Sequence, residues 1–293
     1  MNTRITLLLL IASGLLVVHG TASATGALFG RQINSTATYQ SMEIRTYDAQ
    51  VSINDHYAVT KIDQRCFNNL RATVEVTFIF PLPENAFVTY FAYWFNGQKY
   101  VASIKERQQA QKTYDSLVKR MIDPALLVDL GNNIFKLNVA PVHANSELRF
   151  EMTYVELIPQ NSGFSDFRFI LKTTGLSPTP LQRVSVVVDA TSQRPFESFV
   201  VPGQGNTPAT TIDRVDSTHY RAIFGDENYV PDSDLLIRYR VAHKPFDATV
   251  ISFLPKTGDS LGPDGYYGMW VTLPDTLEGV QRTGRSIVFT ADV

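Results

Sequence analysis

The feature that most constrains this chain is a succession of short segments in which apolar and polar residues alternate. Alternation runs from Met42 to Ile62 and again from Arg71 to Phe80. Because successive side chains of a strand point to opposite faces of a sheet, this period indicates half-buried β-strands. Asn54-Asp55 is a turn sequence within the first segment, and Asn96-Gly97 is a strong hairpin signal further on. The chain is therefore predicted to be mainly β.

One segment has a different period. From Ile104 to Met121 there is neither glycine nor proline, and strong helix formers are frequent. Ser103 fits a helix N-cap with Glu106 three residues later, and Asp123-Pro124 ends the pattern. Alternating segments resume beyond it. The predicted fold is a layered antiparallel β-sandwich with one inserted α-helix at about 104–120.

The first 24 residues have the pattern of a secretory signal peptide. Arg4 precedes an apolar run that is shorter than the roughly 20 residues of a membrane-spanning helix, and Ala22-Ser23-Ala24 fits a cleavage site. A membrane anchor is the alternative interpretation. With a mature start near Thr25 and no later apolar span, the protein is expected to be periplasmic, cell-surface or secreted. A lone cysteine, Cys66, allows no internal disulfide, and a bacterial envelope is favoured.

Candidate catalytic and metal-binding residues are few. Outside the leader, the histidines are His56, His143, His219 and His243. None shows the spacing of a zinc-peptidase site, and Cys66 fits a small core residue better than a nucleophile. No catalytic or cofactor-binding residue is predicted, so the chain is not expected to be an enzyme. The net charge of −2 leaves no basic excess for nucleic acid.

Two groups of residues are candidates for binding a partner. An aromatic cluster lies in one predicted strand and comprises Tyr90, Phe91, Tyr93, Trp94 and Phe95. Alternation places half of it in the core, and the outward half is a candidate platform for carbohydrate or protein. The predicted helix carries the charged residues Glu106, Arg107 and Lys112, which fit either a solvated helix face or a partner contact.

An ordered set of motifs resembles the VIT domain, found in vault protein and inter-alpha-trypsin inhibitor heavy chains. In order, these motifs are Tyr57-Ala58-Val59-Thr60, Phe78-Ile79-Phe80-Pro81-Leu82-Pro83, Ile104-Lys105-Glu106-Arg107, Val139-Ala140-Pro141 and Tyr154-Val155-Glu156-Leu157. The resemblance covers residues 33–160. One departure is Met121-Ile122-Asp123-Pro124, where the family usually has a glycine, so a different turn is expected there.

The resemblance also implies how the rest of the chain is organised, since VIT domains usually precede a von Willebrand factor type A domain. Residues 161–273 would be a β-rich extension packing on the VIT domain, and 274–284 a linker. Residues 285–293 resemble the first strand of a truncated A domain. Asp292 would be the first residue of its metal site, whose serines are missing. Mg or Ca is therefore expected only with a full A domain, and Asp292 is not expected to bind a metal alone.

These observations predict a non-enzymatic, exported interaction or adhesion-type module. The resemblance implies that the VIT domain is the structural companion of a metal-dependent A domain, with a protein or an extracellular-matrix-like partner. A passive envelope scaffold is the main alternative. A β-sandwich carbohydrate-active enzyme is a third, which requires two opposed carboxylates in a concave pocket.

Overall fold

The computed structural model describes residues 26–95, 97–101, 134–161, 163–203, 210–242, 247–253 and 265–272. The leader, the predicted helix at 104–120, the linker at 274–284 and the segment 285–293 lie outside these ranges. Every regular element within them is a β-strand, and none of these residues belongs to a helix that could cross a membrane. The chain divides into two compact units, the first ending at Arg240 and the second beginning at Val241.

The first sixteen strands, the last of which ends at Val241, range in length from two to twelve residues. They are β1 (Ala27–Gln32), β2 (Gln40–Ser41), β3 (Glu43–Asn54), β4 (Tyr57–Phe67), β5 (Val74–Pro81), β6 (Ala86–Phe95), β7 (Gln98–Val101), β8 (Ile134–Val142), β9 (Glu147–Leu157), β10 (Gln160–Asn161), β11 (Phe164–Phe169), β12 (Leu181–Thr191), β13 (Phe196–Val200), β14 (Thr211–Arg214), β15 (His219–Tyr229) and β16 (Leu235–Val241).

An eight-stranded sheet forms one layer, in the order β14-β15-β12-β3-β4-β9-β6-β7. Its pairings are antiparallel except for β3 with β12, which run parallel with Asp48 opposite Ser185. Alternate residues of β4 and β9 are buried; in β9, Leu148 and Phe150 are buried and Arg149 is half-buried. The sheet therefore has an inner face that builds the core and an outer face that carries polar side chains.

Two four-stranded sheets cover the inner face. The first has the order β2-β1-β5-β8 and packs Phe78 of β5 on Phe150 of β9, with ring centroids 4.4 Å apart. The second has the order β10-β11-β16-β13 and packs Phe169 on Tyr47 of β3, with centroids 5.6 Å apart. The core thus consists of aromatic contacts between layers, which agrees with the predicted layered, mainly β fold.

The strand β1 was not predicted, and it lies inside the first small sheet. Ala27, Leu28 and Phe29 are at most 4% exposed, so the segment shows no alternation. Strands buried on both faces have continuous apolar runs, which periodicity does not distinguish from other buried segments. The carbonyl of Gly26 accepts a 2.8 Å hydrogen bond from the buried Gln64 amide, which holds the start of β1 on the eight-stranded sheet.

The second unit contains β17 (Asp247–Phe253) and β18 (Tyr266–Thr272), which form an antiparallel pair with Val250 opposite Met269.

Both predicted turns of the first unit are present as hairpins, between Asn54 and Tyr57 and between Phe95 and Gln98. Gly97 has a φ of +75°, the left-handed conformation for which the Asn-Gly sequence is selected. The predicted domain boundaries at 160, 273 and 284 stay predictions.

Candidate interaction surface

The outer face of the eight-stranded sheet carries charged side chains in rows, and the residues within each row have the same sign of charge. A cationic row crosses six of its strands and consists of Arg183, Arg65, Arg149 and Lys99, with Thr46 and Trp94 in the intervening register positions. The next row is acidic and consists of Asp48, Asp63 and Glu151. Because outward residues of one strand are two apart, the two rows lie roughly 7 Å from each other along the strands.

Arg149 links the two rows. Its Nε donates to both oxygens of Asp63 at 2.9 and 3.0 Å, and its Nη2 donates to Asp63 at 2.6 Å and to Glu151 at 2.7 Å. The hydrogen bond with Asp63 is the main cause that raises the pKa of the Arg149 guanidinium. Asp63 and Glu151 are directly opposite each other on β4 and β9, an arrangement that is repulsive for like charges. The shared guanidinium offsets this repulsion.

Trp94 lies between two cations from its neighbouring strands. The Arg149 guanidinium is 4.6 Å and the Lys99 ammonium 4.5 Å from the indole centroid, and each residue is directly opposite Trp94 in register. Lys99 also lies 5.5 Å from the ring of Tyr90, and its hydrogen bond with that phenol raises the pKa of the ammonium. Cations over the ring occupy the surface on which a sugar would stack. This arrangement therefore favours a protein over a carbohydrate as the partner of Trp94.

A shallow, open depression of about 440 Å³ adjoins this arrangement. Its lining consists of Arg65, Trp94, Gly97, Ser146, Glu147 and Arg149. Arg65 donates to Glu147 at 3.0 Å, and Arg149 pairs with Asp63 and Glu151 beside the depression, so the charges of the lining are paired. A depression with paired charges, open to solvent, suits recognition of a polar surface.

An apolar patch continues the same face toward the other end of the strands. Phe87 lies opposite Val155, which lies opposite Val59, and Leu157 lies opposite Tyr57 one row further. Phe87 is 63% exposed and Leu157 is 42% exposed, whereas the other three are half-buried. Contiguous exposed apolar side chains on a soluble domain mark a site of interaction.

The predicted aromatic cluster is divided between the two faces of the sheet. Phe91 is buried on the inner face beside Phe135 and Phe150, and Tyr93 stacks there on Tyr100 with centroids 5.0 Å apart. Tyr90 and Trp94 have outward register positions. The predicted division into a core half and an outward half is therefore confirmed, and the outward half belongs to the candidate surface.

The other singled-out residues do not join this surface. Cys66 is fully buried, and burial raises the pKa of its thiol to about 12, so it is a core residue as predicted. His56 lies 3.2 Å from the hydroxyl of the buried Ser165, and His219 lies 3.4 Å from Asp189. His143 is exposed, 3.3 Å from the Thr73 hydroxyl.

His243, Asp292 and the charged residues Glu106, Arg107 and Lys112 lie outside the described residues. Within the described part of the chain, no three His, Cys, Asp or Glu side chains are grouped to hold a metal ion.

The sequence did not identify the charged rows. Asp63 and Arg149 are separated by 86 residues, and they meet only because β4 pairs with β9. The one signal in the sequence is that Asp63 and Arg65, like Arg149 and Glu151, occupy outward positions of their strands. That signal shows which face they are on but not which strands are neighbours.

Comparison with known proteins finds a family match for part of this chain. Residues 44–154 match the vault protein inter-alpha-trypsin domain, VIT. Inter-alpha-trypsin inhibitor heavy chain H3 of Rattus norvegicus is 30% identical over 137 residues, which are 46% of this chain and 15% of the relative. Heavy chain H4 of Homo sapiens is 30% identical over 134 residues, which are 45% of this chain and 14% of the relative. The match thus spans about one seventh of the length of these relatives.

Two solved structures are also similar. A candidate nutrient-binding protein of Legionella pneumophila is 13% identical, with a TM-score of 0.45 over 74% of this chain and 72% of that one. An M1 zinc metallopeptidase of Deinococcus radiodurans is 13% identical, with a TM-score of 0.37 over 83% of this chain and 50% of that one. The family match includes most of the two ionic rows and the Phe87 end of the apolar patch. Residues 44–154 of this chain are a VIT domain.

Proposed function

We propose that this chain is an exported, non-enzymatic interaction module and that its VIT domain binds a protein partner through the outer face of the eight-stranded sheet. The observation that carries the proposal is the apolar patch around Phe87 on the same face as the ionic rows. Protein interfaces combine buried aromatic and aliphatic anchors with Arg and a polar surround. The patch, Trp94 and Arg149 supply these components on one surface.

The geometry of the carboxylates supports a binding role over a hydrolytic one. Asp63 lies directly opposite both Asp48 and Glu151 on this face, but Asp63 and Glu151 accept hydrogen bonds from Arg149 and lie on an open sheet surface. A glycosidase needs one carboxyl group to be protonated as the general acid, in a site that encloses the sugar. Both carboxylates are instead held by one guanidinium and are only half-buried.

A second part of the proposal concerns the domain that accompanies the VIT domain and the cellular location of the protein. The similar proteins are named heavy chains of an inhibitor, which is a name for a chain of a complex. We infer that the VIT domain here is the companion of a von Willebrand A domain that begins near residue 285, in a protein exported to the bacterial envelope. Mg or Ca binding then belongs to that domain, with Asp292 as its first ligand.

Calorimetry on this chain alone should show no micromolar Mg²⁺ site, and a saturable site lost in Asp292→Ala would contradict this inference.

Site-specific photo-crosslinking in the producing cell tests the surface. A benzophenone amino acid replaces Phe87 in one variant and Val200, which is 47% exposed on β13 of another sheet, in the control. The proposal expects a discrete protein adduct from position 87 that is weaker or absent from position 200. Asp63→Asn in the Phe87 variant should reduce the adduct, because it removes one of the two carboxylates that hold Arg149. Equal labelling from both positions, or none from either, would favour a passive scaffold.

A further inference from the structure

One buried carboxyl group has no role in the surface described above. Glu156 has an inward position on β9, next to Tyr154 on the same face, and it is 5% exposed. The residues directly opposite it on β4 and β6 are Ala58 and Ala86. Their methyl groups leave room for the carboxyl group but offer it no hydrogen bond. Its Oε1 atom is buried without a hydrogen-bond partner among the described residues.

Among the described residues, the groups found to interact with Glu156 are phenols rather than cations. The phenols of Tyr154, on its own strand, and of Tyr239, on β16, both interact electrostatically with the carboxyl group. Thr60 of β4 is directly opposite Tyr154. On the side of the β3–β4 turn, the Tyr239 hydroxyl donates to the backbone carbonyl of Asp55, whose own carboxylate accepts from Ser192 at 2.5 Å.

Two other titratable groups lie on the strands packed near this cluster. His56 is 3.2 Å from the Ser165 hydroxyl on β11. Asp234 accepts the backbone N–H groups of Leu171 and Lys172 at 3.0 and 3.1 Å, and it interacts electrostatically with Tyr154. Among the described residues, the surroundings of Glu156 are thus phenols, hydroxyls, other carboxyl groups and the His56 imidazole.

Burial without a cation favours the neutral form of a carboxyl group, since an ionised one loses its hydration without compensation. In agreement, burial raises the pKa of Glu156 from 4.5 to about 8. An exported protein meets this range of pH in its surroundings, so both charge states of Glu156 are accessible in the folded chain.

Glu156 also lies where both small sheets approach the same strand. Tyr154 packs on Phe80 of β5, with ring centroids 6.2 Å apart, and β5 belongs to the first small sheet. Tyr239 belongs to β16 in the second small sheet. A charge at Glu156 therefore acts on the contact of β9 with both covering layers.

We propose that Glu156 is a proton-controlled latch, whose neutral carboxyl group allows β16 to close on β9 and whose ionisation loosens this contact. The methyl groups of the adjacent alanines cannot hydrogen-bond to an ionised carboxylate. Ionisation therefore requires water to reach the buried oxygen. The latch is closed at acidic pH and opens as the pH rises. It does not depend on the proposed partner surface, which lies on the opposite face of the sheet.

Hydrogen exchange of the β16 and β9 amides tests the latch, with protection factors corrected for the intrinsic pH dependence of exchange. In the wild-type protein, protection should fall about 10- to 100-fold from about pH 6 to about pH 9. Glu156→Gln should abolish this fall. The matched control Glu227→Gln, at an exposed position of β15, should behave as the wild type. An equally steep fall in Glu156→Gln would overturn the proposal.

A measurement on the wild-type protein covers the case in which Glu156→Gln does not fold. With ¹³C-labelled glutamate, the proposal expects one carboxyl resonance that titrates well above the others. Assignment of that resonance to Glu156 follows from its proximity to the Tyr154 and Tyr239 ring protons. If the Glu156 carboxyl carbon instead titrates near the ordinary value of 4.5, the latch does not exist.

Discussion

Replacing Phe78 with alanine tests the way in which the first small sheet is held on the VIT domain. Phe78 is 1% exposed, and its ring centroid lies 4.4 Å from that of Phe150, 5.7 Å from Phe91 and 6.2 Å from Phe80. The substitution removes a whole ring from between two layers. Three neighbouring rings, fixed in separate strands, have little freedom to collapse into the cavity. The cost is therefore expected in the upper part of the range for Phe→Ala, about 4–5 kcal/mol.

Thermal and urea unfolding of the chain measure this cost. For a unit of this size, the loss corresponds to a decrease in Tm of roughly 10–15 °C. A double-mutant cycle of Phe78→Ala with Phe150→Ala isolates their stacked contact, whose coupling energy should be about 0.5–1.5 kcal/mol.

The matched control is Phe87→Ala, on the other face of the same eight-stranded sheet. Phe87 is 63% exposed, so its loss should change the free energy of unfolding by no more than about 0.5 kcal/mol. If the two alanine variants lose similar stability, the assignment of inner and outer faces is wrong. A cost below about 1.5 kcal/mol for Phe78→Ala would show that the layers are not held by this aromatic cluster.

Three further predictions concern single sites. Because the pKa of Glu156 is about 8 in the fold and 4.5 ordinarily, the stability from its neutral form is complete below about pH 4.5 and is lost as the pH rises through about 8. Urea unfolding should show a loss of up to about 5 kcal/mol across this window, absent in Glu156→Gln.

Gly26→Ala should cost about 1–3 kcal/mol in the same assay, since its Cβ would lie 2.5 Å from a buried aromatic carbon, whereas Gly203→Ala, with open space, should be neutral. The Asp63–Arg149 pair is about one-third exposed, so a double-mutant cycle with Asn and Met should give a coupling of only about 0.5–1 kcal/mol. A coupling several times larger would mean that the pair serves stability more than binding.

The sequence was sufficient where local chemistry determines the structure. Alternation predicted β3, β4 and β9, because one buried face imposes a period of two on a strand. The Asn96-Gly97 sequence predicted a hairpin, since Gly97 takes a positive φ at no steric cost. The sequence was not sufficient to predict β1, because its buried residues do not alternate with exposed ones. The mainly β fold could be predicted, but the predicted helix at 104–120 and Asp292 lie outside the described residues.

The candidate surface required the tertiary structure. The parallel pairing of β3 with β12 and the pairing of β4 with β9 join segments far apart in the chain, and no local propensity encodes such neighbours. Only these pairings place Asp63 beside Arg149 and Phe87 beside Val155. The sequence by itself determined which side chains face outward, because side chains alternate between the two faces along each single strand. Which of them meet depends on register between strands, and that is fixed by burial of the whole inner face.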